Sequence, residues 1–465
     1  MAQRRTGLTK TDNIKRLATA HGGFDRIPID DPEYRAYCAG DVAATEAILA
    51  SMPPLDDYAR RELTLMTRLT SAITVGGFRI DETLLDERLA GSDVDRAEGR
   101  SRLIDRYGLP ASRRDGTPAL NPLATTEGKE VLDRAFRDIG VDLPRTTSGL
   151  LPRLDKATMA QIVARGTPDQ RDLAQLVLDL NGVRTIYSTL HEHTHNGRVH
   201  PTVLPSQASG RMSLTNPGLT VLGKRGQKVA ERAILLPEEG HVLVAADLAQ
   251  IDARAIAAHS QDPNYLALFD PGINPATGKE WDAHAEIAHM VWGDRGRRND
   301  AKAIGHGWNY GMGLAKIADT TGLPLLEAET FDSAMRERFP KVVQWRDEIR
   351  DLGSSGVLLD NGFGRKMRPT PQRAYTQAPA LMGQGTARDL MMEGILRLPL
   401  EMVPMLRVIV HDEVVLSVPE DIVADVEHQL LEALQFPWAP PGAERAITVR
   451  AGLAKRGRNW ADCYR

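Results

Sequence analysis

At 465 residues the chain exceeds what one hydrophobic core serves, and roughly two to four domains are expected. Its 42% hydrophobic and 26% charged content is that of a soluble globular protein rather than a disordered or fibrous one. A net charge of −4 neither demands nor excludes nucleic acid, so any DNA-binding surface must come from local Lys and Arg clusters and would be salt-sensitive. Cys38 and Cys463 have neither metal-ligand spacing nor a disulfide framework around them, which points to a reducing cytosol. No apolar run approaches the length needed to span a bilayer, and the basic start, MAQRRTGLTK, has no apolar segment behind it. The chain is expected to stay inside the cell.

In chain order, residues 1 to about 55 are short for a domain. Their clearest feature is YCAGDVAATEAIL, a helix-like stretch with Tyr37 and Asp41 one turn apart on one face. From Leu55 to Leu85 a helical pattern (Leu63, Met66, Leu69, Ile73) runs into GGFRID, where paired glycines suggest a turn into a strand. Residues 108 to 150 are rich in Pro, Gly, Thr and Arg and predict loops with a short helix around Val131 to Phe136. Asp169 to His191 carries apolar residues at 173, 176, 177, 180, 183, 186, 187 and 190. That long helical stripe reads as one arm of an extended helical hairpin rather than a compact core helix.

QASGRMSLTNPGL, from Gln207 to Leu219, predicts an ordered loop between strands. Lys224, Arg225, Lys228 and Arg232 follow and read by default as a solvated face. Val242 to Ala246 is an apolar, β-branched-rich run that predicts a buried strand, ending in the carboxylate of Asp247. A helix over Leu248 to His259 is expected next, and Asp247 reads equally as a metal perch or as that helix's N-cap. Between 261 and 350 the chain turns helical. After Asn361-Gly362 come GRKMR and a helix from Gln384 to Arg397. LRVIVHDEVVLSV, from Leu406 to Val418, predicts a hairpin with acids at its tip.

Two constellations carry chemistry. Arg298, Lys302, His306 and Tyr310 recur every four residues, so on a helix they drift about 40° per step and line one face roughly 18 Å long. Phosphate recognition suits that set: Arg offers a planar fork, Lys a compact charge, and the aromatic end can stack on a base or sugar. A solvated helix edge is the plainer alternative. The glycines at 305, 307, 311 and 313 argue against it, because glycine costs helix stability unless something must approach closely. The second constellation is Asp247 with Asp412, each at the end of an apolar strand run. If those strands are neighbours in one sheet, the acids form an oxygen site for Mg²⁺, and two such ions can drive an in-line phosphoryl transfer.

At this point the chain resembles family A DNA polymerases, the bacterial DNA polymerase I class and its phage relatives. DLAQIDAR at 247 to 254 is similar to that family's motif A, RNDAKAIGHGWNYGMG at 298 to 313 to motif B, and VHDEV at 410 to 414 to motif C. ASGRMS at 208 to 213 resembles its TGR-type segment and QGTARD at 384 to 389 its QGTAAD helix. The resemblance implies an α+β right-hand fold with an antiparallel palm sheet, helical fingers and a helical-hairpin thumb. It divides the chain into an exonuclease-domain remnant (1–55), thumb and connecting helices (56–200), palm (201–260), fingers (261–374) and palm again (375–465).

It further implies a DNA-templated DNA polymerase that extends a primer 3′-hydroxyl with dNTPs. Asp247 and Asp412 would bind two Mg²⁺ ions, and Lys302 would join them as a catalytic residue. Arg298 and Lys302 would grip the triphosphate with His284 assisting, and Tyr310 would stack near the templating position. Arg211, Gln384 and His411 would contact primer-template DNA, while Gln250 and Arg365 would hold DNA or nucleotide. Three departures matter. Asp252 stands where the family usually has Glu, which blocks a ribose 2′-hydroxyl, so a looser or reshaped sugar gate is expected. His306 replaces the usual Phe or Tyr and leaves dideoxynucleotide handling open. Tyr37 to Asp41 resembles the last motif of a 3′-5′ exonuclease domain whose earlier acidic motifs lack room in the 36 preceding residues, so proofreading by this chain alone is not expected. A separate exonuclease polypeptide and a vestigial helix both remain open. A single-subunit RNA polymerase and an inactive DNA-binding scaffold are the rival readings; HDEV and the QGTA helix disfavour the first, retention of Asp247, Lys302 and Asp412 the second.

Overall fold

The computed structural model describes residues 13–464 apart from 113–115, 119–120, 147–148, 183–184, 225, 270–272 and 275–278. Its organising element is an antiparallel sheet in the order Leu406–Val410, Glu413–Pro419, His241–Leu248, Ala451–Leu453. Val242 to Ala246 and Glu413 to Val418 are buried without alternation, as strands covered on both faces must be. The helix Val423–Leu434 and the turn Trp460–Tyr464 both pack on the His241–Leu248 strand. Seven successive pairs from Glu413↔Asp247 to Pro419↔His241 fix the register. A one-residue slip would turn every side chain over.

Asp247 lies within its strand, which continues to Leu248. The next helix, Ile251–Ser260, is preceded by Gln250 in a left-handed conformation (φ 54) with no side-chain cap bond. Asp247 is therefore not an N-cap. That helix is almost wholly buried, and Arg254 at its centre donates to the carbonyls of Ala249, Phe269 and Thr448.

His259, one residue before the helix ends, bonds Thr386 Oγ1 through Nε2 at 2.8 Å and stacks on Trp345. Burial pushes its imidazole down to about 4. The unfolded chain, with a histidine pKa of about 6.5, takes up this proton first as pH falls. The fold is thus unpenalised above about pH 6.5 and loses stability from there down to about pH 4. Between pH 7.5 and pH 5, urea unfolding should show wild type losing about 2 kcal/mol more than His259→Gln. Equal losses would exclude His259 as the cause.

The Gln384–Arg397 helix expected from sequence begins ten residues earlier, at Ala374, and runs through Pro379 to Arg397. Pro379, Gly383 and Gly385 disfavour a helix locally, but packing overrides them. A Cβ on Gly383 would come within 2.8 Å of the Tyr310 ring.

The 169–191 stripe is divided. Leu173, Ala174, Val177 and Leu180, in the helix Pro168–Gly182, join Leu103, Leu132, Phe136 and Met159 in a compact core of their own. Leu190, in the helix Thr185–His193, belongs to the main core. One hairpin arm thus serves two cores, which corrects the extended-arm reading; Val183 lies outside the described residues. The short helix near Val131 spans Thr126–Asp138. Leu65, Leu69 and Ile73 are buried in the main core, whereas Leu63 is 60% exposed, so that apolar stripe starts at Leu65. Phe78–Ile80 is the predicted strand after the paired glycines.

Contacts divide the chain into two units, one through Glu62 and one from Leu63 onward. The first holds the helices Asn13–His21 and Pro32–Ser51, with a small cluster of Leu17, Ala18 and Ile27. Tyr37 and Asp41 share the second of these helices. Among the described residues no helix is long and apolar enough to cross a membrane.

Candidate active site

The Leu406–Val410 and Glu413–Pro419 strands are joined by two residues, His411 and Asp412. His411 takes φ 57, the positive φ that the first residue of a tight two-residue hairpin turn adopts. The turn holds Asp412 at the sheet's end, where its carbonyl accepts from Leu248 N–H at 2.9 Å. Asp247 and Asp412 thereby meet. Burial, then the nearby charges of Asp247 and Asp252, push the Asp412 carboxyl up to about 6. Negative charge is concentrated here faster than the protein neutralises it.

Arg298, Lys302 and His306 lie on the helix Arg298–Asn309 as spaced. Lys302 and His306 are exposed, and Arg298 is half-buried and bonds Asp282 at 2.6 Å. Asp282 caps the preceding helix, Ala283–Trp292. His284 is in that helix, its imidazole lowered to about 4 by burial, with Lys302, Arg298 and His306 adding to the effect and Asp282 opposing it. It is therefore neutral at neutral pH, and its buried Nδ1 has no hydrogen-bond partner.

Tyr310 departs from the expected exposed face. The helix stops at Asn309, and Tyr310 is its C-cap, only 8% exposed, with its ring edge-on to His306 at 5.3 Å. Two of the glycines serve the interior: a Cβ on Gly307 would press on Ile317 and Met312, and one on Gly311 on Arg350.

Arg211 and Asp252 form an ion pair at 2.6 Å with side chains 13% and 22% exposed. Asp412 and Tyr310 also act electrostatically on Arg211, so Arg211, Asp252 and Tyr310 lie close to Asp412. Gln250 is half-buried, His411 is exposed, and Gln384 is the half-buried member of an otherwise buried run from Leu381 to Leu390. Arg365 is different. Its guanidinium fills the space under Gly210 (φ +74), where a Cβ would lie within 2.2 Å of it. It approaches Asp389 at 3.9 Å, and Arg388 Nε donates to the Gly210 carbonyl at 3.0 Å. Arg365 supports the 208–213 loop from below.

The basic set after residue 223 corrects another expectation. Arg232 is 2% exposed; it bonds Glu413 at 3.3 Å and the Leu222 carbonyl at 3.1 Å, and lies 3.9 Å over the Trp460 ring. Lys224 Nζ bonds both Asp247 and Glu413, the latter at 2.6 Å. Burial opposes its charge, but Glu413 and Asp247 outweigh that and hold its pKa above the ordinary lysine value. The Tyr464 hydroxyl donates to Glu413 as well. Lys224, Arg232, Glu413 and Tyr464 escaped the sequence reading as site residues; the buried Glu413 beside Asp412 was the signal that its neighbours must be cationic. Arg225 and the Lys228 side chain lie outside the described residues.

Two carboxylates brought together at one sheet end are an oxygen donor set of the kind that Mg²⁺ takes. Comparison with known proteins identifies the family. Residues 129–462 match the family model described as DNA polymerase family A, and the chain belongs to that family. It is similar to the thermostable DNA polymerase I of Thermus filiformis, 28% identical over 364 residues covering 72% of this chain and 41% of the relative. It is also similar to the DNA polymerase of Mycobacterium phage D29, 26% identical over 418 residues covering 86% of this chain and 64% of the relative. The chain thus spans less than two thirds of these relatives. The polymerase domain of Pol1 from M. smegmatis, solved in complex with DNA primer-template and dNTP, superposes with a TM-score of 0.71 at 17% identity, covering all of this chain and 81% of that one. The α+β architecture is accordingly the right-hand polymerase fold.

Proposed function

We propose that this chain is a DNA-templated DNA polymerase that extends a primer 3′-hydroxyl with dNTPs, acting on primer-template DNA through two Mg²⁺ ions held by Asp247 and Asp412. The observation that carries it is the strand register that sets Asp412 beside Asp247, with the Asp412 carboxyl raised to about 6. Among the described residues no group of three or more His, Cys, Asp or Glu side chains is disposed to hold a metal. Two carboxylates nonetheless suit Mg²⁺, which usually completes its shell with water and substrate phosphate oxygens. That an ammonium already rests on Asp247 marks the position as one that attracts cations. Bound there, the metal pair would activate the 3′-hydroxyl and neutralise the leaving pyrophosphate.

The protein's own groups do the rest. Arg298 and Lys302 grip the triphosphate, Lys302 as the group nearest the leaving charge. His284, neutral and with a free buried Nδ1, offers a hydrogen bond rather than another charge. His306 and Tyr310 bound the nucleotide at the foot of this helix. Asp252, tied to Arg211, bounds the sugar, and Gln250, His411 and Gln384 are accessible to DNA. In this reading residues 201–260 and 375–465 form the palm, 261–374 the fingers and 56–200 the thumb.

Among the described residues, the unit through Glu62 contains helices and no strand.

Primer extension by the purified chain in Mg²⁺ tests the reading. Elongation with dNTPs, slower with rNTPs at equal concentration, is expected. Exclusive use of rNTPs would move the chain to the RNA polymerases, and tight DNA binding without extension would make it a scaffold.

A further inference from the structure

Lys224 is the one cation in contact with Asp247 among the described residues, and the way it is held deserves a functional account. Its backbone neighbours are pinned: the Leu222 carbonyl accepts from Arg232, and Gly223 N–H donates to Glu231. Its ammonium rests 5.2 Å from the Tyr464 ring as well as on Asp247 and Glu413. The two carboxylates it bridges are not equivalent. Glu413 keeps Arg232 and the Tyr464 hydroxyl as partners whether or not Lys224 is there. Among the described residues Asp247 has no other cation.

We propose that Lys224 is a tethered counter-ion of the catalytic carboxylates, seated on Asp247 in the unliganded protein and displaced when a divalent cation takes that oxygen. This rests on the reading of Asp247 and Asp412 as metal ligands. An ammonium and Mg²⁺ compete for the same lone pairs, and the ammonium, already on the chain, forms its pair with Asp247 without having to be bound from solution. Lys224 thus raises the divalent-cation concentration at which the site fills while shielding Asp247 from its neighbour Asp412. It leaves readily, because its side chain is 39% exposed and Glu413 stays neutralised after it goes. Lys224 is a positioning residue, acting through Asp247 rather than on substrate.

The test is Mn²⁺ binding to the full chain without DNA or nucleotide, followed by loss of the free-ion paramagnetic resonance signal. Lys224→Met should bind Mn²⁺ about three- to tenfold more tightly than wild type, the change that one or two partly screened ion pairs convert to. Lys224→Gln should follow Lys224→Met, and Lys224→Arg should stay near wild type because it keeps the charge. Unchanged or weaker Mn²⁺ binding in both neutral variants, with binding still abolished by Asp412→Asn, overturns the counter-ion and leaves the metal site standing. If Mn²⁺ binds none of these proteins, or binds the Asp412→Asn variant undiminished, the metal reading falls and the counter-ion with it.

Discussion

Asp412→Asn is expected to reduce primer extension by about a thousandfold or more while leaving DNA affinity within about twofold of wild type. The substitution keeps the size of the side chain and the hairpin turn that His411 begins, so it removes charge and little else. Because burial and two neighbouring aspartates already push the Asp412 carboxyl up to about 6, losing its charge should relax repulsion and slightly stabilise the fold. Activity and stability therefore move in opposite directions. Gel-based extension kinetics, a DNA titration and a urea unfolding curve measure the three effects; substantial extension by the variant in Mg²⁺ would sink the assignment of Asp412 as a metal ligand.

The second large effect is on stability. Arg232 and Glu413, with side chains 3% and 4% exposed, form a buried pair. Removing one partner of such a pair costs about 3–5 kcal/mol where the other charge is left stranded, and Lys224, which also reaches Glu413, holds the loss here toward the lower end of that range. Arg232→Met should therefore lower the urea midpoint sharply, with the Trp460 ring losing the guanidinium that covers it. Adding Glu413→Gln to Arg232→Met should restore part of the loss, since the buried carboxylate is then gone and Lys224 keeps Asp247 as its partner. If the double variant is less stable than the single one, the stranded charge is not the source of the cost.

What could be read ahead of the structure follows from which interactions are local. Val242 to Ala246 and Leu406 to Val418 announce strands through their own composition, and the acids at their ends stand out because an ionised group there needs a reason. Arg298, Lys302 and His306 are legible because helical spacing alone puts them on one face. Tyr310 follows the same spacing and is buried, because the helix ends one residue before it, where Gly311 must adopt φ +69. Arg232 was misread as solvated for a different reason. Its burial depends on Glu413, 181 positions away, and on the Trp460 ring, and nothing within its own helix hints at either. Arg365 resembles a surface arginine until the Gly210 turn closes over it. Pro379 and Gly383 hid the first ten residues of the Ala374–Arg397 helix, since the packing around Gly383 involves the distant Tyr310.

The strand order carries a consequence for how this protein is made. His241–Leu248 lies at the centre of the sheet, yet the strands on either side of it, Glu413–Pro419 and Ala451–Leu453, are translated far later. Leu248 pairs with Ala451, and at a synthesis rate of ~5–20 residues per second the ribosome needs about 10–40 s to reach it. Until Glu413–Pro419 emerges Val242 to Ala246 is an unpaired, apolar segment, and until Ala451 emerges one of its edges stays open, the kind that pairs with any exposed edge it meets. Overexpression should therefore be limited by aggregation of the nascent chain rather than by the stability of the finished fold, and slower translation at low temperature or a holding chaperone should raise the soluble yield.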